Sequence, residues 1–476
     1  MRSIPYSMRS INEKCAIIAI SHPTYDEVAR NAYLGLWAMQ HRGQDSSGIA
    51  SFDGDKLHCH KDTGLVTKVY DNESLSTLKG KVAIGHNRYS TSGGNDAFLN
   101  QPFVNSGLGF AFAHNGNLPY TDKLKQYMDD NEILYNGHND SGLMALALSN
   151  ELQKSRSIAK AVKACWPLFT GAFCCVGLYK NQTFAFRDSN GIRPLSIGKS
   201  NHGYVVASET AALDSIGAEY IRDVAPGELI IIEGDKMKSS FIQKGTQKLD
   251  AFEFVYLARP DSMLSGKNVY AIRYNAGERL AKASPAVNAD VVLASPDSGI
   301  PAAAGYATAS GTPFGHGIVK NRYIGRTFIE PEKIRKNTVQ LKFNLIKHLI
   351  KGQRIVLVDD SIVRGNTLKH LVALLRANKA KEIHVRIASP PIKYPDFYGV
   401  DTPQGNDLLA HDMDVDEICK FIDADSLSYL SQTDFVKSTS LPKSELCMSC
   451  FNGEYPIDVP FDPKQKTNQD KKKGIQ

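Results

Sequence analysis

The chain has 476 residues, of which 42% are hydrophobic and 22% charged, with a formal net charge of +6. This is the composition of an ordinary soluble globular protein, long enough for two or three domains of ~150 residues. No apolar run approaches the ~18 residues of a membrane span. The first 14 residues lack the apolar core of a secretory signal. Much of the excess positive charge lies in a lysine-rich tail over 463–476, rather than in a nucleic-acid-binding surface.

The first half of the chain predicts two sheets with helices packed on them, because strands precede and follow a pair of helices. Residues 1–14 are polar and poorly periodic, and end at Cys15. A strand is predicted over 16–20 and a helix over 25–39, and strand and turn signals continue to about residue 120. Further helices are predicted near 141–153 and 157–169, and further strands over 171–178, 183–187, 204–208 and 228–232.

The second half predicts a parallel sheet. A polar, lysine-rich stretch over 235–250 is interpreted as a linker. Beyond it, short β-rich runs over 290–294, 354–358 and 384–388 alternate with helical patterns, as in a parallel sheet with crossover helices. From about Thr439 no clear periodicity remains, and the lysine-rich tail is predicted to be disordered.

One strand–turn–helix segment, residues 354–367, carries specific chemistry. Its apolar run, Ile355–Val358, predicts a buried parallel strand, and Asp359 and Asp360 stand where that strand would end. A helix is predicted to follow, because four apolar residues share one face at helical spacing: Leu368, Leu371, Val372 and Leu375. Ligands of open α/β sheets bind beyond the carboxyl ends of the strands, so a site is predicted here.

The turn in this segment suits a phosphorylated sugar. Backbone N–H groups from Ser361 to Thr367 can cradle a phosphate near a helix N-terminus, and Gly365 allows close approach of the backbone. The two aspartates suit a ribose diol or a hydrated Mg²⁺ ion, although a solvated Asp-Asp pair would read the same way in isolation. The segment resembles the phosphoribosyl-diphosphate (PRPP) binding motif of type I phosphoribosyltransferases. That resemblance implies that PRPP is bound by Asp359, Asp360, Ser361, Arg364, Gly365 and Thr367.

A second candidate site is centred on Cys15. A lone cysteine before a strand is more often a buried structural residue than a nucleophile. The segments downstream change this interpretation: Gln40–Gly48, Gly85–Thr91, Ala113–Asn117 and Asn139–Ser141. In this order and spacing they resemble the glutaminase domain of amidophosphoribosyltransferases, which has an N-terminal-nucleophile fold, an αββα sandwich. The resemblance extends from about residue 11 to about residue 455.

The resemblance implies that Cys15 becomes the first residue of the chain. A free α-amine with a pKa of roughly 7.7–8.0 can take the proton of its own thiol, whereas an internal amide cannot. Removal of residues 1–14 as a propeptide is therefore required by this interpretation.

The same resemblance assigns the other groups of the glutaminase site. Arg88 would bind the α-carboxylate of glutamine, Asp140 its α-amine, and Thr91 would lie nearby. Asn115 and Gly116 would form the oxyanion hole, although alone they would also suit a tight turn. The sequence departs from the family at Ala16 and Ala19, where glycines are usual, and at Gly142, where an acidic residue is usual; these changes could alter glutamine turnover.

A basic stretch beginning at Lys320 and Arg322 resembles the family's flexible loop, although a basic loop is usually just a solvated surface. By resemblance, these two residues would neutralise the diphosphate leaving group. Ser298 aligns with a hydroxyl ligand near the metal, which implies one Mg²⁺ per subunit at Ser298, Asp359 and Asp360.

Two further patterns do not predict a metal centre. Some relatives hold a four-iron cluster with four cysteines, but only Cys447 and Cys450 are present here, and Asp250 and Asp396 occupy the other two positions. A 4Fe-4S cluster is therefore not expected. In His58-Cys59-His60, strand alternation sends neighbouring side chains to opposite faces, so a site there is not expected either.

Together with the resemblance, the sequence predicts a propeptide (1–14), a glutaminase domain (15–245), a phosphoribosyltransferase domain (246–430) and a C-terminal extension (431–476). The resemblance implies the first committed step of purine synthesis, from PRPP, glutamine and water to 5-phosphoribosylamine, glutamate and diphosphate. It also implies inhibition by purine nucleotides and a homo-oligomer, a tetramer in the family. From the charge distribution and the lack of a long apolar run, no nucleic-acid or membrane partner is expected. Eight scattered cysteines suit the cytoplasm. Two alternatives remain: an ammonia-dependent transferase with a weakened glutaminase, and a PRPP- or nucleotide-sensing regulator.

Overall fold

Two antiparallel sheets stack face to face in the first half of the chain. The computed structural model describes residues 15–24, 27–89, 97–321, 343–399 and 408–460. The strands in this half are β1 (Ala16–Ser21), β2 (Ser46–Phe52), β3 (Leu57–Thr63), β4 (Val82–Arg88), β5 (Phe103–Asn105), β6 (Phe110–Tyr120), β7 (Thr170–Tyr179), β8 (Gln182–Arg187), β9 (Ser196–Ser200), β10 (Gly203–Ala207), β11 (Glu219–Asp223), β12 (Glu228–Glu233) and β13 (Lys236–Phe241).

The strand order within the described residues is β11-β9-β10-β1-β4-β2-β3 in one sheet and β13-β12-β8-β7-β6-β5 in the other. Alternate side chains of the two inner faces, such as Ile17, Ile84 and Val176, form one apolar layer between the sheets. Helices cover both outer faces. They are α1 (Val28–Ala38), α2 (Val66–Val69), α3 (Asn72–Thr77), α4 (Asp122–Asp130), α5 (Asp140–Ser155), α6 (Ile158–Cys165) and α7 (Thr210–Ser215). The predicted αββα sandwich is confirmed.

The second half is built on a parallel sheet. The strands of this half are β14 (Leu249–Asp250), β15 (Met263–Leu264), β16 (Lys267–Asn268), β17 (Val291–Ala294), β18 (Phe314–Gly315), β19 (Ile318–Lys320), β20 (Phe343–Leu345), β21 (Arg354–Asp359), β22 (Glu382–Ile387), β23 (Ser426–Tyr429) and β24 (Leu446–Cys447). The order within the parallel sheet is β18-β17-β21-β22-β23. Its helices are α8 (Val269–Ala283), α9 (Ile300–Ser310), α10 (Asn366–Ala377), α11 (Leu409–Asp412), α12 (Val415–Phe421), α13 (Gln432–Thr439) and α14 (Ser449–Asn452).

Helices lie on both faces of this sheet. On β21, Val356 and Val358 pack on the side of α8 and α9, while Ile355 and Leu357 pack on the side of α10 and α12. A strand buried on both faces reads as a continuous apolar run, which is why the run at 355–358 predicted it correctly. The helix predicted from the four apolar residues is α10, and all four are buried.

Two stretches are more ordered than the sequence predicted. The polar stretch over 235–250 begins with β13, an edge strand whose side chains are largely exposed, so its polarity reflects its position at the sheet edge rather than a linker. After Thr439 the chain returns to the hydrophobic core of the second half, where Phe451 is 2% exposed and lies 5.7 Å, ring to ring, from Phe435. The tail over 461–476 lies outside the described residues.

Within the described part of the chain, no helix is both long and apolar enough to span a membrane.

Candidate active sites

Cys15 lies at the start of β1, beside the end of β4. The register pairs Ala16 with Asn87, so Arg88 ends its strand next to the partly buried cysteine. The methyl groups of Ala16 and Ala19 are buried in different hydrophobic clusters. The two departures from the family's glycines are therefore accommodated in the hydrophobic cores around β1.

Asn115 and Gly116 lie inside β6, in the sheet that faces Cys15. The alternative interpretation as a tight turn is wrong, because both residues pair with β7. Asn115 is fully buried, and a Cβ added to Gly116 would lie 2.0 Å from the Ala172 carbonyl oxygen, so only glycine fits there. The Asn115 side chain donates from Nδ2 to Ser208 Oγ at 3.4 Å, and Ser208 Oγ also accepts from the Ile17 N–H at 3.0 Å.

Arg88 and Asp140 are held by neighbouring backbone and side-chain groups. Arg88 is 4% exposed and donates from Nη1 to Asn100 Oδ1 at 3.3 Å. Asp140 opens α5, and its Oδ2 accepts from the Leu118 N–H at 3.1 Å, which ties it to β6, the strand of Asn115 and Gly116. Thr91 lies outside the described residues.

The glycine at position 142 has a local steric reason. A Cβ there would lie 2.6 Å from Cδ2 of the His138 ring, so the acidic residue usual in the family would displace that ring. The His138 ring in turn packs edge-on against Phe98.

In the second half of the chain, the candidate site forms where β17 and β21 end side by side. The register pairs Ala294 with Val358, and Asp359 and Asp360 follow at 8% and 7% exposure. Asp359 Oδ1 accepts from the Asp360 N–H at 2.9 Å, and Asp360 Oδ1 accepts from the Ser361 hydroxyl at 2.5 Å.

The electrostatics of the two carboxylates oppose their double ionisation. Burial, followed by the charge of Asp360, raises the pKa of Asp359 well above its usual range. Burial also raises the pKa of Asp360, while hydrogen bonds from Ser298 and Ser361 and the positive charge of Arg273 act in the opposite direction. A cation at this pair would relieve that repulsion. The donor set therefore fits Mg²⁺, which accepts one or two carboxylates and completes its shell with water and substrate oxygens.

The turn after these carboxylates leads into α10 through Gly365, whose φ of 69° lies in the left-handed region. Thr367 is at the second position of the helix, and Arg364 is half-buried in the turn. Nearby, Lys320 donates from Nζ to Asp297 Oδ2 at 2.8 Å, which places it beside Ser298 after β17. Arg322 lies outside the described residues.

Sequence reasoning missed Arg273, which lies on the buried face of α8. Its guanidinium donates to the Phe254 and Ala258 carbonyl oxygens at 2.7 and 2.8 Å, and its positive charge acts on Asp360. Together with Ser298 and Asp360 it lines a small cavity beneath the carboxylates. A cationic residue at an apolar position of the helical repeat was the available signal. Ser208, which links Asn115 to β1, was also missed.

The two cysteines near the C-terminus lie in an interior that does not fit a four-cysteine cluster. Asp250 pairs with Cys447 between β14 and β24, and its Oδ2 accepts from Arg193 Nη1 at 3.2 Å. Burial and the neighbouring charge of Asp396 raise the pKa of Asp250 to about 8. In the part of the chain that the structure describes, no group of three or more His, Cys, Asp or Glu side chains is arranged to hold a metal ion.

Comparisons with known proteins agree with both halves of this architecture. The family described as glutamine amidotransferase domain matches residues 86–215, and the phosphoribosyl transferase domain matches residues 267–390. An amidophosphoribosyltransferase of Mycobacterium tuberculosis (strain ATCC 25618 / H37Rv) is 44% identical over 467 residues, covering 95% of this chain and 88% of the relative. That of Bacillus subtilis (strain 168) is 40% identical over 470 residues, covering 95% and 96%.

Solved structures are similar over nearly the whole chain. The glutamine PRPP amidotransferase from B. subtilis, complexed with ADP and GMP, superposes with a TM-score of 0.86 at 40% identity, covering 94% of this chain and 98% of that one. A second, described as the allosteric regulatory enzyme of purine biosynthesis, has a TM-score of 0.86 at 40% identity, covering 94% and 96%.

Proposed function

The chain belongs to the amidophosphoribosyltransferase family, and from that premise we propose how its residues divide the reaction between two sites. The enzyme converts PRPP, glutamine and water into 5-phosphoribosylamine, glutamate and diphosphate. One observation carries the proposal that the two sites act together: the glutaminase strand with the oxyanion residues contacts the transferase half. Asn117 Nδ2 donates to the Phe397 carbonyl oxygen at 2.8 Å, and a Cβ at Gly399 would lie 3.4 Å from Gly116 Cα.

In the glutaminase site, Cys15 acts as the nucleophile once residues 1–14 are removed. Its α-amine takes the thiol proton, and the thiolate attacks the carboxamide carbon of glutamine. The Asn115 side chain and the Gly116 N–H stabilise the oxyanion that forms. The protonated amine then gives its proton to the leaving ammonia, and water hydrolyses the thioester to glutamate. Arg88, Thr91 and Asp140 hold the α-carboxylate and α-amine of glutamine during these steps.

In the transferase site, the ammonia attacks C1 of the PRPP ribose and diphosphate leaves. Backbone N–H groups from Ser361 to Thr367 bind the 5-phosphate, with Arg364 and Gly365 in the same turn. Lys320 and Arg322 neutralise the departing diphosphate. Because ammonia is mostly protonated in neutral water, delivery inside the protein keeps it nucleophilic.

One Mg²⁺ per subunit is proposed beside Ser298, Asp359 and Asp360, on the basis of the buried carboxylate pair. When bound, the ion would neutralise diphosphate charge and orient PRPP. The two aspartates would also accept hydrogen bonds from the ribose hydroxyls.

The domain limits and the partners belong to the same proposal. We assign the glutaminase to 15–245 and the transferase to 246–430, and we add 431–460 to the transferase because Phe451 packs in its core. Purine nucleotides are proposed as feedback inhibitors, since the similar B. subtilis enzyme was solved with ADP and GMP. A homo-oligomer, a tetramer by family resemblance, is proposed as well. The cytoplasm is proposed because all eight cysteines are free thiols.

A Cys15→Ala variant tests the division of labour. We expect glutamine-driven synthesis of phosphoribosylamine to disappear while ammonia-driven synthesis continues at the wild-type rate. Intact-mass measurement of the active wild-type protein should find a chain that begins at Cys15.

Retention of residues 1–14 in active protein would contradict the N-terminal nucleophile. A wild-type protein that uses ammonia but not glutamine would support the ammonia-dependent alternative instead. Failure to release diphosphate from PRPP with either nitrogen source would support the regulator.

A further inference from the structure

We propose that Ser208 is a positioning residue of the glutaminase site, which aims the Asn115 carboxamide at the reacting carbonyl of glutamine. The inference rests on the proposed function of Cys15 and Asn115. Ser208 directly follows β10, the strand beside β1, and is fully buried.

The Ser208 hydroxyl joins the two sheets at the reaction centre. Its Oγ accepts from the Ile17 N–H at 3.0 Å and from Asn115 Nδ2 at 3.4 Å. The Ser208 backbone N–H also donates to the Ile17 carbonyl oxygen at 3.0 Å, so the residue is fixed to β1 from both its backbone and its side chain. Ile17 is two residues beyond Cys15. One oxygen atom therefore contacts both the strand of the nucleophile and the proposed oxyanion donor.

The chemistry of a carboxamide explains why such a contact is needed. The terminal torsion of asparagine is broad and roughly two-fold, so the side chain alone does not select the direction of its N–H groups. An oxyanion donor contributes only when it already points at the position of the developing charge. A hydroxyl can accept from the Asn115 amide or donate to its oxygen, and in either case it restricts rotation. Removing it leaves a buried amide with one partner fewer.

The residue next to Ser208 keeps its backbone in place. Glu209 is fully buried and accepts from His41 at 2.8 Å, from the Arg259 N–H at 3.0 Å and from the Ser262 hydroxyl at 2.7 Å, besides its ion pair with Arg42. These contacts anchor the chain immediately after Ser208, so the hydroxyl is held at a defined distance from Asn115. A positioning group needs this kind of rigid support.

The test compares Ser208→Ala and Ser208→Thr with the wild-type full chain. We expect Ser208→Ala to lower kcat for glutamine hydrolysis by roughly 10-fold. This is less than the ~10²–10³-fold loss that follows deletion of an oxyanion donor. KM for glutamine and the rate of the ammonia-driven reaction should stay at wild-type values. Ser208→Thr, which keeps the hydroxyl, should recover most of kcat. Ser21→Ala is the matched control, because Ser21 is a buried serine of β1 whose hydroxyl donates to the Gly234 carbonyl oxygen at 3.1 Å. It should behave as wild type.

A double-mutant cycle separates positioning from a merely structural role. In an Asn115→Ala background the serine has no carboxamide to orient, so Ser208→Ala should cause no further loss of kcat. An equal loss in both backgrounds, a parallel loss of ammonia-driven activity, or glutamine hydrolysis within twofold of wild type would each overturn the inference. A wild-type protein that hydrolyses no glutamine would instead overturn the proposed function, and the inference with it.

Discussion

At the scale of single residues, His86 has a defined electrostatic consequence. It is fully buried on β4, two residues before Arg88, on the same face of the strand as Val82 and Ile84 of the layer between the sheets. Burial lowers the pKa of His86 to about 3, and the nearby charges of Arg88 and His114 add to this effect. The ring is therefore neutral in the folded protein at physiological pH.

The sign of the resulting pH dependence follows from proton linkage. The folded-state pKa of about 3 is below the ordinary value of 6.5, so the unfolded chain binds more protons as the pH falls. Above pH ~6.5 the titration of His86 takes nothing from the free energy of unfolding. Below that pH the free energy of unfolding falls progressively toward pH ~3, and the share due to His86 is about 2 kcal/mol between pH 7 and pH 5. A His86→Gln variant should lack this share of the acid destabilisation in urea unfolding at the two pH values.

The partly exposed His411 provides the control for this prediction. A His411→Gln variant should retain the wild-type loss between pH 7 and pH 5, because His86 is unchanged in it. If His86→Gln lost as much stability as wild type over this range, the histidine would not be the group that titrates.

At the scale of elements, the turn that starts α10 depends on a backbone conformation that favours glycine. Gly365 has a φ of 69°, and a Cβ there would lie 2.8 Å from Leu409 Cδ2. Gly365→Ala should raise KM for PRPP about tenfold in both the glutamine- and ammonia-driven reactions, because it strains the proposed phosphate-binding turn by ~1–3 kcal/mol.

A second glycine provides the matched control for that substitution. Gly352 has a φ of 75°, but nothing lies within 4 Å of an added Cβ, and the residue precedes β21 rather than following it. Gly352→Ala should lower the free energy of unfolding, as left-handed backbone strain does, without changing KM for PRPP. Equal KM changes in the two variants would show that the effect is not local to the phosphate turn.

The elements differ in how well the sequence predicted them, and the reason is the range of their interactions. The strand at 355–358 and helix α10 are encoded by local apolar patterns, and the part of the proposed PRPP site from Asp359 to Thr367 lies between them in the chain. In contrast, β14 and β24 are two-residue strands in which Leu249 pairs with Leu446, almost two hundred residues away. Such short segments have no period of their own, so the order of the chain after Thr439 could not be read locally.

The glutaminase site shows the same limit. Arg88, Asn115 and Asp140 were identified because their segments have a recognisable order and spacing. Ser208 follows an ordinary strand, and its importance arises only when β10 and β6 bring it between Ile17 and Asn115. Contacts between two sheets leave no pattern within either strand.

At the scale of the whole molecule, buried ion pairs join the two halves. Arg42 is 1% exposed and pairs with Glu209 in the glutaminase half and with Glu253, at 2.5 Å, at the start of the transferase half. Glu253 also pairs with Arg193 at 2.8 Å. Burial opposes the charge of Arg42, but the two carboxylates together raise its pKa above the ordinary value. The interface between the two halves therefore depends on buried charges, each of which needs a partner of opposite sign.

Removing Arg42 should be costly for this reason. An Arg42→Met variant keeps most of the side-chain volume but leaves Glu209 and Glu253 buried with one counter-charge fewer, and breaking a buried pair in this way costs ~3–5 kcal/mol. Arg30→Met is the matched control, because Arg30 pairs with Glu27 at the surface, with side chains 42% and 60% exposed, and surface pairs contribute ~0–1 kcal/mol. Urea unfolding followed by intrinsic fluorescence measures both variants. Adding Glu253→Gln to Arg42→Met should recover part of the loss, because it removes one of the two buried carboxylates that lost a counter-charge. If Arg42→Met were as stable as Arg30→Met, the interface between the two halves would be stabilised by its apolar contacts rather than by these buried charges.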